Sequence, residues 1–172
     1  MCLFAFAKAN SQQPNVVVGT IIPEFGRTFE VPNPDFKTNT DMVFKAVFDV
    51  ASAPDDPSKR NPSIETIARF LNMHANAGVP EKNLLVRMAI HGQASYGLLN
   101  NEAYKAKFGV DNPNIKLLEA IEKAGVEILL CGQTAGARNI TKERRLPLTK
   151  VALSAMTILI QSQNEGYRMI AF

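Results

Sequence analysis

Three short runs of this 172-residue chain are apolar at almost every position. Met42-Val43-Phe44-Lys45-Ala46-Val47-Phe48-Asp49-Val50 comes first, then Leu84-Leu85-Val86-Arg87-Met88-Ala89-Ile90, then Val126-Glu127-Ile128-Leu129-Leu130. A strand with one wet face alternates apolar and polar residues. Runs with so little alternation predict strands covered on both faces, as in a parallel sheet. The segments between them have helical spacing. Ile64, Ile67, Ala68, Leu71 and Ala75 share a stripe after Ser63, which stands where an N-cap belongs. Glu65, Arg69, Asn72 and Asn76 fall on the other face, and Gly78 and Pro80 stop the helix. A short, weaker helix spans 101–108 and ends at Gly109. Another follows Asn114, with Ile115, Leu118 and Ile121 on its stripe and Gly125 at its end. Strand, helix and strand in this order predict βαβ units, parallel strands and an α/β fold.

Toward the C-terminus, residues 132–138 read as a short helical turn, 151–164 as the last helix and 167–172 as a final strand. Val151, Leu153, Ala155, Met156, Ile158, Leu159 and Ile160 cover more than one stripe of that last helix. This predicts burial around most of its girth, either by a subunit interface or by the core itself. Residues 10–40 are rich in Pro, Asn and Gly, with β-prone pieces at 16–18 and 28–31. They read as an extended arm, or a hairpin, packing on a domain of residues 41–172. In residues 1–9, the apolar Cys2-Leu3-Phe4-Ala5-Phe6-Ala7 and the Ala7-Lys8-Ala9 triplet resemble the end of a signal peptide, but a basic start and a longer apolar run are missing. A signal remnant implies the periplasm, an oxidising compartment for a lone thiol; an apolar start of no consequence implies the cytoplasm.

Composition removes several function classes. Nineteen basic residues against sixteen acidic ones leave a net charge of +3, too small and too evenly spread for nucleic-acid binding. No apolar run approaches the roughly 18 residues that span a bilayer. Cys2 and Cys131 make no disulfide framework, and His74 and His91 have no acidic partner at ligand spacing, so neither a metal nor another cofactor is expected. The glycine spacing fits neither GxGxxG nor a P-loop.

Ligands of open α/β sheets gather at the carboxyl ends of the strands. Two positions qualify, His91-Gly92 and Cys131-Gly132. Cys131 stands at a strand-to-helix junction, where helix N-terminal amides lower a thiol pKa. Gly132 and Gly136 permit close backbone approach, and Arg138, Lys142, Arg144 and Arg145 supply positive charge. The alternatives are a small buried residue ending a strand for Cys131, a solvated surface for the basic run and a loop-bonded structural histidine for His91. A Cys–His hydrolase ranks last, because no third orienting residue is evident.

The stretch Cys131-Gly132-Gln133-Thr134-Ala135-Gly136-Ala137-Arg138-Asn139-Ile140, followed by a helix and then Gln161-Ser162-Gln163-Asn164-Glu165-Gly166-Tyr167, resembles the DsrE/DsrF-like (YchN-like) family. The strand ending at His91-Gly92 and the segment from Gly26 to Asp49 fit its stand-alone bacterial members. The resemblance implies a three-layer α/β sandwich around a parallel sheet, assembled as a homo-oligomer, a trimer or a hexamer. It also implies a sulfur-carrier or sulfurtransferase-like role in sulfur metabolism. Cys131 would hold a transient persulfide between donor and acceptor proteins, with Gly132, Arg138, His91 and Gly92 on the binding side. A non-catalytic homo-oligomeric module that binds a small ligand is the other function this fold carries. Some members have a second cysteine where Thr134 stands, so an intramolecular relay is excluded. A glycine commonly follows the arginine; Asn139 takes its place and tolerates the same left-handed turn.

Overall fold

The computed structural model describes residues 15–171. The proposed signal remnant at 1–9, Cys2 within it, lies outside them. In chain order the elements are β1 (Val16–Val17), β2 (Thr28–Phe29), β3 (Phe44–Val50), α1 (Pro62–Asn76), β4 (Leu84–Ile90), α2 (Asn101–Phe108), α3 (Ile115–Lys123), β5 (Glu127–Cys131), α4 (Gly132–Ala137), β6 (Lys150–Ala152), α5 (Ala155–Asn164) and β7 (Arg168–Ala171). The five strands β6-β5-β4-β3-β7 form one sheet in that order, and every ladder in it is parallel. The apolar runs of β3 and β4 pair along their full length, from Phe44 opposite Leu84 to Val50 opposite Ile90.

The strands are apolar on both faces because helices cover both. Ala46, Phe48 and Val50 of β3, Val86, Met88 and Ile90 of β4, and Ile128 and Leu130 of β5 meet Ile64, Ile67 and Leu71 of α1 and Leu117, Leu118 and Ile121 of α3. This is the main core, and each of these side chains larger than alanine contributes about 1.5–3 kcal/mol on burial. Among the described residues, the opposite face is covered by α5 alone. There Val47, Ala89 and Ile158 form a much smaller cluster, with Leu129, Ala152, Leu159 and Tyr167 beside it. Arg87 also points to this side. It bonds Glu127 at 2.8 Å and Glu165 at 2.7 Å, donates to Ser162 Oγ at 3.2 Å and stacks 4.3 Å from the centre of the Tyr167 ring. The polar residue inside an apolar strand thus ties the C-terminal end of α5 to the sheet.

Local structure departs from expectation at four places. The cap of α1 is Asn61, whose side chain accepts from the Ser63 amide at 2.9 Å; Pro62, lacking an N–H, begins the helix, so Ser63 lies inside it. The last helix starts at Ala155, because Lys150–Ala152 is drawn out as an edge strand beside β5. Burial around the girth of α5 does not occur among the described residues, where one helix on one face leaves its outer side uncovered: Met156 is 70% exposed and Ile160 58%. Asn72, assigned by spacing to the polar face of α1, is fully buried. Its side chain accepts from the Ile22 amide and donates to the carbonyls of Ile22, Phe25 and Gly26. The segment joining β1 to β2, which pair as an antiparallel hairpin, is fastened there.

Candidate functional site

Cys131 is the last residue of β5, and Gly132 begins α4. Alternation along β5 sends Leu129 and Cys131 to the α5 side of the sheet, away from the main core. The thiol is buried, at 5% exposure. Burial pushes its pKa up. The Thr134 hydroxyl and the amides of Thr134, Ala155 and Gln133 oppose it as hydrogen-bond donors to sulfur, and they win: the thiol sits below its ordinary value. The Cys131 side chain makes no capping hydrogen bond to α4; the neighbouring donors act by favouring the charged sulfur.

The donors come from two helix starts. Gln133 and Thr134 open α4. Ala155 opens α5, where the Ser154 side chain accepts from the Thr157 amide and leaves the Ala155 amide to the sulfur. Cys131 pairs with Ala152 of β6, which carries the chain round to α5. Gly132 permits this closeness: a β-carbon there would stand 2.5 Å from the Ala152 carbonyl oxygen and 3.1 Å from that of Leu153.

His91 ends the neighbouring strand. Ile90 pairs with Leu130, so His91 and Cys131 leave the sheet side by side. The ring of His91 is turned to the other neighbour: Nε2 lies 2.8 Å from Asp49 Oδ1 on β3. Asp49 is the orienting carboxylate that sequence reasoning did not find. The histidine is thus a bonded strand-end residue, and no hydrogen bond joins it to the sulfur among the described residues. Gly92 follows with φ +54°, and its missing side chain accommodates the Ala51 carbonyl oxygen, 2.7 Å from where a β-carbon would stand. Of the two glycines expected to permit close approach, Gly132 approaches carbonyls of this chain, whereas a β-carbon on Gly136 would meet nothing within 4 Å.

Arg138 leaves α4 on the side of the loop after β4. Its Nη1 donates to Gln93 Oε1 at 3.3 Å, and its guanidinium carbon lies 4.9 Å from the centre of the Tyr96 ring. No hydrogen bond or ion pair brings it to Cys131. Asn139 takes the left-handed conformation expected of it, with φ +50°. Among the described residues no three His, Cys, Asp or Glu side chains gather in a way that would hold a metal ion, and no helix is long and apolar enough to cross a membrane.

The family model described as DsrE/DsrF-like matches residues 45–172, from the first strand of the parallel sheet onward. The chain belongs to the DsrE/DsrF-like family. Its fold recurs in the ychN protein from E. coli, at 20% identity, and in MTH1491 from Methanobacterium thermoautotrophicum, a protein of unknown function, at 16% identity. Each superposes with a TM-score of 0.54 and covers 75% of this chain and 99% of its own. At these identities the likeness concerns the DsrE-type fold alone. No curated relative matches the chain.

Proposed function

We propose that this DsrE/DsrF-like chain is a sulfur carrier, sulfurtransferase-like, that holds a transient persulfide on Cys131. One observation carries the reading: the thiol at the end of β5 faces donors from the starts of both α4 and α5, which hold it below its ordinary pKa. A thiolate is the form that attacks sulfur. In the first step the Cys131 thiolate attacks the outer sulfur of a donor persulfide, R–S–SH. The donor's S–S bond breaks and its electron pair leaves on R–S⁻, which takes a proton from water. The outer sulfur stays on Cys131. In the second step an acceptor thiolate attacks that sulfur and releases the Cys131 thiolate, so no oxidant or reductant is consumed. The amides that favour the thiolate also favour the anionic persulfide. His91, tied to Asp49, and the Gly92 and Gly132 turns border the donor's approach, while Arg138 contributes charge from the next loop.

Self-association belongs to the same reading. Leu153, Met156 and Ile160 are 72%, 70% and 58% exposed, and Met169, which pairs with Val47 on the same side of the sheet, is 49% exposed. A second copy covering this face, in a trimer or hexamer, would complete the thin layer that α5 provides.

Intact-mass spectrometry after incubation with a sulfane-sulfur donor tests the carrier. Wild type is expected to gain one sulfur, reversibly with reductant, and Cys131→Ser to gain none. An unmodified wild-type protein whose thiol is also slow toward iodoacetamide would overturn it. The remaining reading is then a homo-oligomeric module that binds a small ligand without catalysis, and a cavity on the other side of the sheet favours that reading in particular.

A further inference from the structure

That cavity lies on the side of α1 and α3, beyond the carboxyl ends of β3 and β4, and encloses about 370 Å³. It is well built. Asn61 and Asn114, the cap residues of α1 and α3, line it while only 2% and 3% exposed. Their positions are fixed by buried bonds. Asn114 Oδ1 accepts from the Asn61 amide at 2.8 Å, and Asn114 Nδ2 donates to Asn112 Oδ1 at 3.0 Å. Three aromatic rings form a wall. Phe108 meets Tyr96 edge-on at 5.6 Å and Tyr104 at 4.7 Å, and Tyr104 is anchored through its hydroxyl to the Pro57 carbonyl.

Two cations flank the Tyr96 ring of this wall without lining the cavity themselves. Lys107 Nζ lies 4.3 Å from the centre of the Tyr96 ring, and the Arg138 guanidinium carbon lies 4.9 Å from it. Neither cation has a carboxylate partner among the described residues. Two like charges on one half-buried ring repel each other, and the ring's π face offsets this only in part. Asp55 is the carboxylate among the lining residues, and it is exposed on the proline-rich turn. An incoming anion would relieve the repulsion at Tyr96, while a flat unsaturated body would find three rings and two fixed amides behind it.

We propose that this cavity binds a small organic anion: a planar body against Tyr96, Tyr104 and Phe108, with its carboxylate or phosphate between Lys107 and Arg138. This site is separate from the thiol and does not depend on the sulfur-carrier reading, although Arg138 is common to both. Its rim nevertheless meets the turn that follows His91, through Gln93, which both lines the cavity and accepts from Arg138.

Two-dimensional amide NMR of the full chain, titrated with phenyl phosphate, benzoate, inorganic phosphate and phenol, tests it. Phenyl phosphate or benzoate is expected to give saturable shifts at about millimolar concentration or below, confined to residues 93–97, 104–108 and the side-chain amides of Asn61 and Asn114. Whichever of the two binds more tightly assigns the anionic group. Inorganic phosphate and phenol, each carrying half of the recognition, should bind at least about tenfold more weakly. Lys107→Met with Arg138→Met should weaken the organic anion about tenfold or more while leaving amide shifts elsewhere in place. Cys131→Ser should bind as wild type does. Absence of saturation by either organic anion, shifts lying outside the cavity, or equal binding by the double variant would overturn the proposal.

Discussion

Gly132 backs onto the carbonyl oxygen of Ala152 so closely that a β-carbon on it would stand 2.5 Å away. Both partners are backbone, so neither has a flexible end that can yield. Gly132→Ala is expected to push α4 and the edge strand β6 apart and to cost about 1–3 kcal/mol, measured as a lower urea midpoint. Because β6 carries the chain into α5, the Ala155 amide should retreat from the sulfur too. The same variant should therefore react more slowly with iodoacetamide at neutral pH.

Among the groups that lower the Cys131 pKa, the Thr134 hydroxyl comes first and its amide next. Thr134→Val removes one donor to the thiolate and should raise the thiol pKa, slowing alkylation at pH 7 by up to about tenfold. The rate against pH should rise at lower pH in wild type than in the variant. Linkage fixes a second sign. A thiol whose folded pKa is depressed adds stability above the unfolded value, about 8.5, and loses it as pH falls through the folded value. Denaturation midpoints of wild type relative to Cys131→Ser should rise across that window.

Arg87 holds Glu127 and Glu165 together beneath α5. Arg87→Met is expected to cost about 1–3 kcal/mol, between the values for exposed and buried pairs, and to speed hydrogen exchange in residues 162–168. Arg87 first, and Lys150 next, hold the Glu127 carboxyl below its usual range. Its contribution is therefore present above the unfolded carboxylate value and lost as pH falls through the lowered folded one. In Arg87→Met the acid loss of stability should begin at higher pH.

Asn72 should behave as a clasp. Asn72→Ala leaves the Ile22 amide and three carbonyls without their buried partner, for a loss of about 1–3 kcal/mol. Trypsin cleavage at Arg27 should accelerate, and the main core of β4, β5 and α3 should keep its exchange protection.

The sheet could be read from the sequence because β3, β4 and β5 carry their signal locally, in runs without polar alternation. β6 could not. Lys150-Val151-Ala152 is too short to show a period, and the apolar residues after it merge with it into what reads as one helix. Asn72 defeats periodicity for another reason: spacing tells that it lies off the core stripe of α1, while its burial depends on a segment some 50 residues away. Cys131 was legible as the strand-end thiol, but its surroundings were not. The Ala155 amide has no side-chain signature, and Asp49 meets His91 only because β3 and β4 pair in a particular register. Arg138 lies near Cys131 in sequence, yet the short α4 turns its side chain toward Tyr96 instead.

The pairing of β7 with β3 has a consequence for the order in which this molecule assembles. The segments joined there are far apart in the chain; the nearby bond from Lys45 to the Glu165 carbonyl spans 120 residues. Contacts of such long range form slowly, after the local βαβ units have condensed. α5 lies between β6 and β7, and among the described residues it alone covers its side of the sheet, so it docks with that late closure. Until then Cys131 lacks the Ala155 amide and its cover. A nascent or refolding chain would thus present an ordinary, accessible thiol, and the reactive form would be a property of the finished molecule alone.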